Sequence, residues 1–217
     1  LKKKVSVSGL ALTLVLLSAC TDSEETASAE DAGNAVDGIE TYIQDFQTEA
    51  EQLLNVEEDL QLDFEEDLAN DSEGALLEGT GQVASNLSDR EDILQSLDSI
   101  HSQINQELNT IGQAIEHVDA EELPNDIEEF SVGLSDYGAE LSQFIDEYRH
   151  NLSAQSEYFE TLSSEEADFA DITDGIENVN DTHRAMNANW YELEDALINM
   201  QEILANFEMP TPEEEGE

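Results

Sequence analysis

One cysteine, four histidines and three arginines are the residues through which this chain could do chemistry that its many carboxylates cannot. The cysteine, Cys20, follows Leu17, Ser18 and Ala19. A single cysteine forms no disulfide within its own chain. Its surroundings point to lipid rather than to redox or metal work. Lys2, Lys3 and Lys4 are a short basic start, and an uncharged, largely apolar run from Val5 to Leu17 follows. That run is shorter than the ~20 apolar residues of a membrane-spanning helix. Basic, then apolar, then small is the layout of a secretory signal. Leu17-Ser18-Ala19-Cys20 reads as a lipobox, in which Leu17, Ser18 and Ala19 are recognised by the signal peptidase. The expectation is a signal peptide over 1–19, cleavage before Cys20, and a diacylglycerol-type lipid on the cysteine. Two or more acyl chains would anchor the protein stably, since one chain binds a membrane only marginally.

The histidines make a weaker case. His101 and His183 fall on the apolar stripes of two helices, where facing imidazoles could share a metal. A zinc site needs three or four ligands, and no carboxylate partner is defined for this pair, so no metal is assigned. Glu147-Tyr148-Arg149-His150 matches one Glu-x-x-His step of a di-iron bundle. Such a centre needs two of these steps and two further inward glutamates. Here Tyr148, not Glu147, holds the stripe. Asp171-Ile172-Thr173-Asp174-Gly175 lacks the alternating acids and closing glutamate of a calcium loop. There is no nucleophile elbow and no phosphate-cradling glycine loop. No catalytic residue, no further cofactor and no ligand-binding residue is assigned, and an enzyme is not expected.

Charge excludes whole classes of partner. All 54 acidic residues lie after Cys20, opposed there only by Arg90, Arg149 and Arg184, so that part carries a net charge near −51 and no lysine. It offers no basic patch for nucleic acid or for anionic lipid heads. Self-repulsion on this scale opposes a compact state. Near 1 M salt the screening length falls to about 3 Å, so a salty habitat, alkaline or not, is expected.

The elements that must carry these residues are four long helices. The first steps through Val36, Ile39, Ile43, Phe46, Ala50, Leu53, Glu57, Leu60 and Phe64. The second runs from Leu76 through Arg90, Leu94, Leu97, His101, Ile104 and Ile111 to Val118. The third runs from Ile127 through Tyr137, Tyr148, Asn151 and Gln155 to Leu162. The fourth runs from Phe169 through Ile176, His183 and Trp190 to Phe207. Intervals alternating between three and four mark the seam of a helix packed in coiled-coil fashion. The aromatic residues on these seams read as core rather than as a ligand box. The expected fold is all-α: an elongated antiparallel up-and-down bundle of four helices, or three if the first two are partly irregular. Breaks fall at 70–74, at 119–125 with Pro124, and at 163–166, where Ser163 and Glu166 fit a capping box. Asp174-Gly175 should weaken the fourth helix locally. A flexible tether over 20–35, one bundle domain over 36–208 and an acidic tail over 209–217 complete the layout. The polar seam residues Glu57, Arg90, His101, Asn151, Gln155 and His183 are register-fixing candidates, and Arg90 could pair with Glu57.

Taken together, the lipobox, the segment Leu87-Ser88-Asp89-Arg90-Glu91-Asp92-Ile93-Leu94 and the stretch from Tyr137 through Leu162 into the last helix resemble the YkyA-type cell-wall-binding lipoproteins of Gram-positive Bacillus relatives. The resemblance implies an all-helical protein without an established reaction. It would be anchored at the outer face of the cytoplasmic membrane and would face the wall. Peptidoglycan or an attached polymer is the implied partner, and a helical adaptor for another envelope protein is the alternative. Relatives are typically rich in lysine, which is missing here after Cys20. Contact with a polyanionic wall polymer would therefore need high salt, bridging divalent cations, or neutral contacts to glycan.

Overall fold

In a computed structural model the described residues are 27–70, 80–164 and 168–207. They form four helices: α1 (Ala29–Asn70), α2 (Gln82–His117), α3 (Ile127–Ser163) and α4 (Phe169–Asn206). There is no strand among the described residues. The lipobox residues Leu17, Ser18, Ala19 and Cys20, the tail over 209–217 and most of the first connection lie outside them. No described helix is long and apolar enough to cross a membrane.

The alternating stripe explains why these helices assemble. Ile39, Ile43, Phe46, Leu53, Leu94, Leu97, Ile104, Ile111, Leu134, Leu141, Leu193 and Met200 are all buried. Each contributes roughly 1.5–3 kcal/mol of transfer free energy. Antiparallel order is visible in the partners. Val56 on α1 meets Asn86 on α2, and Asp67 meets Val83. Arg90 on α2 meets Gln155 on α3, and Arg149 meets Asp98. Gln143 on α3 meets Asn189 on α4, and Asn151 meets Thr182. Helix α1 packs along α2, α2 along α3 and α3 along α4, whereas no comparable packing joins α1 to α4. The bundle is therefore open along one edge.

Two boundaries differ from the sequence reading. Helix α1 starts at Ala29, inside the expected tether, because Ala32 and Ala35 are buried. Ser28 opens it: its hydroxyl donates to the Asp31 carboxylate at 2.6 Å and its amide donates to the same oxygen at 2.8 Å. These bonds hold the Asp31 carboxyl below its ordinary pKa, the hydroxyl bond being the larger cause. The capping box of α4 is Asp168 with Asp171, not Ser163 with Glu166. The Asp168 carboxylate accepts from the amides of Ala170 at 2.7 Å and Asp171 at 3.1 Å. Ser163 ends α3 instead, donating to the Glu160 carbonyl. Helix α4 runs unbroken through Gly175. A Cβ there would stand 2.9 Å from the Tyr158 ring, so the glycine lets α3 and α4 approach.

The start of α2 is capped from another helix. Asp67, buried near the end of α1, accepts from the amides of Gln82 at 2.8 Å and Val83 at 2.9 Å. A carboxylate at a helix start satisfies orphan amides and faces the positive end of the helix dipole. A Cβ at Gly81 would overlap that carboxylate. Asp67→Ala should lower stability by about 1–2 kcal/mol, the usual worth of a helix cap. Gly81→Ala should lower it too, by displacing the same carboxylate. Urea unfolding followed by circular dichroism in high salt measures both.

Candidate functional site

The seam polar residues converge on one layer that crosses all four helices. Its centre is Arg90 on α2, fully buried. Its guanidinium donates to the Gln155 side-chain oxygen on α3 at 2.6 Å and, at 3.5 Å, to the Tyr148 hydroxyl. Tyr148 passes the contact on, donating to the Glu57 carboxylate on α1 at 3.0 Å. The other oxygen of Glu57 lies 3.7 Å from Nδ1 of His183 on α4. Gln155 donates to Asn151 at 2.5 Å, and Asn151 donates to Thr182 on α4 at 3.1 Å. Arg90 and Glu57 thus communicate through a phenol rather than as a direct pair. No described carboxylate lies within 4 Å of Arg90. Such a layer sets register, because sliding any helix by one turn would strand a buried polar group.

Beside this layer, the open edge forms a groove. Its larger part, about 440 Å³, lies between Ala50, Leu53, Leu54, Glu57 and Glu58 of α1 and His183, Met186, Asn187, Trp190 and Tyr191 of α4, with Phe144 and Tyr148 of α3 as floor. It continues into a second part of about 260 Å³ that shares Ala50, Leu54 and Trp190 and adds Phe46, Leu193 and Leu197. Leu54 is 49% exposed and Tyr191 66% exposed. The Trp190 ring stands edge-on to Phe144 at 5.3 Å, and Phe144 stands edge-on to Tyr148 at 5.7 Å. The aromatic wall of the groove is thereby tied to the polar layer.

Glu57, Arg90, Asn151, Gln155 and His183 thus fall together at this layer, while His101 does not. His101 contacts Asn105 one turn along at 2.9 Å. His150 lies on the surface, 3.9 Å from Glu147. Among the described residues, no group of three or more His, Cys, Asp or Glu is placed to hold a metal. Sequence reasoning missed two members. Tyr148 was counted among the apolar seam positions, although its hydroxyl links Arg90 to Glu57. Thr182 lies one residue off the seam, and only its place beside His183 hinted at a role.

Tyr137 and Tyr148, both buried on the α3 seam, form a natural contrast. The Tyr137 hydroxyl has no hydrogen-bond partner among the described residues. Burial raises both phenols above their ordinary value of 10.0, and the nearby Glu57 charge adds to the effect at Tyr148. The unfolded chain therefore loses these protons first. The stability they contribute is complete below about pH 10 and is lost as pH climbs above it. Tyr148→Phe should cost about 1–3 kcal/mol at neutral pH, by breaking the Arg90–Glu57 relay. Tyr137→Phe should be neutral or stabilising there and should flatten the alkaline loss. Thermal midpoints of the three proteins from pH 7 to about pH 11 would show both effects.

A protein-family model described as "Putative cell-wall binding lipoprotein", YkyA, matches residues 27–209. No curated protein matches the chain significantly. Nor does any solved structure. The family match runs from the residues just before α1 to the end of α4 and so takes in both the polar layer and the groove. By that match the chain belongs to the YkyA family.

Proposed function

We propose that this protein is a non-enzymatic, lipid-anchored envelope protein whose bundle contacts the cell wall. The family match over residues 27–209 carries the reading. The Leu17-Ser18-Ala19-Cys20 motif supplies the anchor, placing the lipid on Cys20 and the bundle on the outer face of the cytoplasmic membrane. In this reading the bundle is a scaffold: a polar layer fixes the register of four helices, and the open edge presents a surface toward the wall. A second reading, a docking partner for a helix of another envelope protein, is favoured by that same open edge. Amphipathic helices lie in apolar grooves of this kind.

Cys20→Ser tests the anchor. The variant should leave the membrane fraction or stall as the uncleaved precursor, read by fractionation and immunoblot. Full retention of a normally processed variant would rule out lipidation at this residue. Wall contact is tested by co-sedimenting the purified protein with cell-wall sacculi across salt and calcium concentrations. Saturable binding that survives high salt is expected for a contact made without net attraction of charge. Binding only with calcium would point to bridged polyanions. No binding under any condition in which the helices stay folded would shift the function to the adaptor reading.

A further inference from the structure

We infer that the groove between α1 and α4 is a binding site for an uncharged, N-acetylated glycan strand. This rests on the wall-binding reading and names the part of the wall that is recognised. Charge comes first. Glu51, Glu57, Glu58 and Glu194 line or rim the groove, and His183 is the one basic group among its lining residues. An anionic wall polymer brought to this surface meets like charge, at a cost that contacts elsewhere must offset. A glycan of amide and hydroxyl groups carries no such cost. Its O–H and N–H groups are donors, and ionised carboxylates are acceptors only. Glu57 and Glu58 can take those bonds at one wall of the groove, and the Asn187 amide can both give and take at the other.

Shape and surface agree. Trp190, the chain's one tryptophan, is half-buried, and Tyr191 beside it stands 66% exposed. Flat aromatic faces pack against the C–H face of a sugar ring while the sugar's hydroxyls stay free to hydrogen-bond. The surface is pre-set, because Phe144 holds the Trp190 ring and Tyr148, fixed by Glu57, holds Phe144. Pre-setting lowers the ordering cost of binding. The apolar extension past Leu54 receives acetyl methyls. A volume of about 440 Å³ falls within the range of small-ligand clefts. A basic amphipathic helix would also suit the charge. One end of the groove, however, is polar, at Glu57 and His183, and the family description points to a wall.

Trp190 makes the test direct, since its fluorescence reports on the groove alone. The full-length protein, held folded in high salt, is titrated with short N-acetylglucosamine oligomers. A saturable change in Trp190 emission is expected, with affinity reduced at least about tenfold in Tyr191→Ala. Tyr191 is largely exposed, so this variant keeps the fold, and its helical circular dichroism serves as the control. Tyr191→Ala should also sediment less with sacculi. If the oligomers leave Trp190 unchanged while a basic amphipathic peptide saturates it, the inference is overturned in favour of a helix partner. If sacculi capture Tyr191→Ala as well as the parent, the wall reading stands and the groove assignment falls. If the oligomers bind but sacculi do not, the groove assignment stands and the wall reading falls.

Discussion

Everything in this molecule is arranged around the repulsion of its own carboxylates. After Cys20 there are 54 of them against three guanidiniums. Two like charges 4 Å apart in water repel by about 1 kcal/mol, and each carboxylate has several neighbours. The fold answers with geometry. Long helices spread acids over outward faces and keep the seams apolar, so the buried stripe works against a repulsion that salt can screen. Acids are also put to use where the backbone is electropositive. Asp31, Glu128, Glu129 and Asp171 occupy first turns, Asp168 caps α4, and Asp67 crosses from α1 to cap α2. Helix C-termini receive almost nothing in return: His117 is the one basic residue in any last turn of the described helices.

The same field explains how a guanidinium survives in the core. Arg90 is fully buried and is held by a neutral amide and a phenol, with Glu57 reached only through the phenol. In most proteins a buried cation without a contacting carboxylate is costly. Here the summed potential of the acidic surface favours a positive charge at the centre, much as it disfavours another negative one at the surface. Arg149 and Arg184 go to the surface instead. Arg149 joins α2 to α3 through Asp98 and Glu91, and Arg184 pairs with Asp181 on its own helix.

The bundle was legible because seams repeat. Alternating steps of three and four placed Leu97, Ile104, Leu134 and Leu141 inward, and they are buried. The same steps flagged Glu57, Arg90, Asn151 and Gln155 as seam polar residues, although the route through Tyr148 was not foreseen. Periodicity cannot register two other things. It says which face of a helix turns inward but not how closely two helices approach, so it placed Trp190 against the core, where it packs on Phe144, but not also at the open edge that it lines. It also overlooks residues that stabilise without lying on a stripe. Asp67 is one, and the small alanines at the start of α1 are another. In an acidic, serine-rich stretch those alanines read as tether, although alanine has the highest helix propensity of any residue. The cap of α4 was read too early, at Ser163 and Glu166, whereas Asp168 and Asp171 form it.

Why one edge stays open follows from chain order and charge together. Three successive hairpins bring α1 to α2, α2 to α3 and α3 to α4, and the α1–α4 edge is the one that no connection closes. Closing it by packing would bring Glu51, Glu57 and Glu58 on α1 toward Glu194 on α4, raising repulsion where the backbones would meet. Holding the edge apart relieves that repulsion but leaves Leu54, Trp190 and Tyr191 incompletely covered. Helix α4 shows the effect along its length. It buries Met186, Asn189, Leu193 and Met200 fully, whereas α3, gripped from both sides, buries most of its seam. An apolar strip between two acidic rims excludes polyanions by charge and weakens self-association for the same reason, because two copies would have to bring their rims together. What such a strip can accept is either cationic or uncharged with its own hydrogen-bond donors. The charge that threatens the fold therefore also sets the chemistry of the α1–α4 edge.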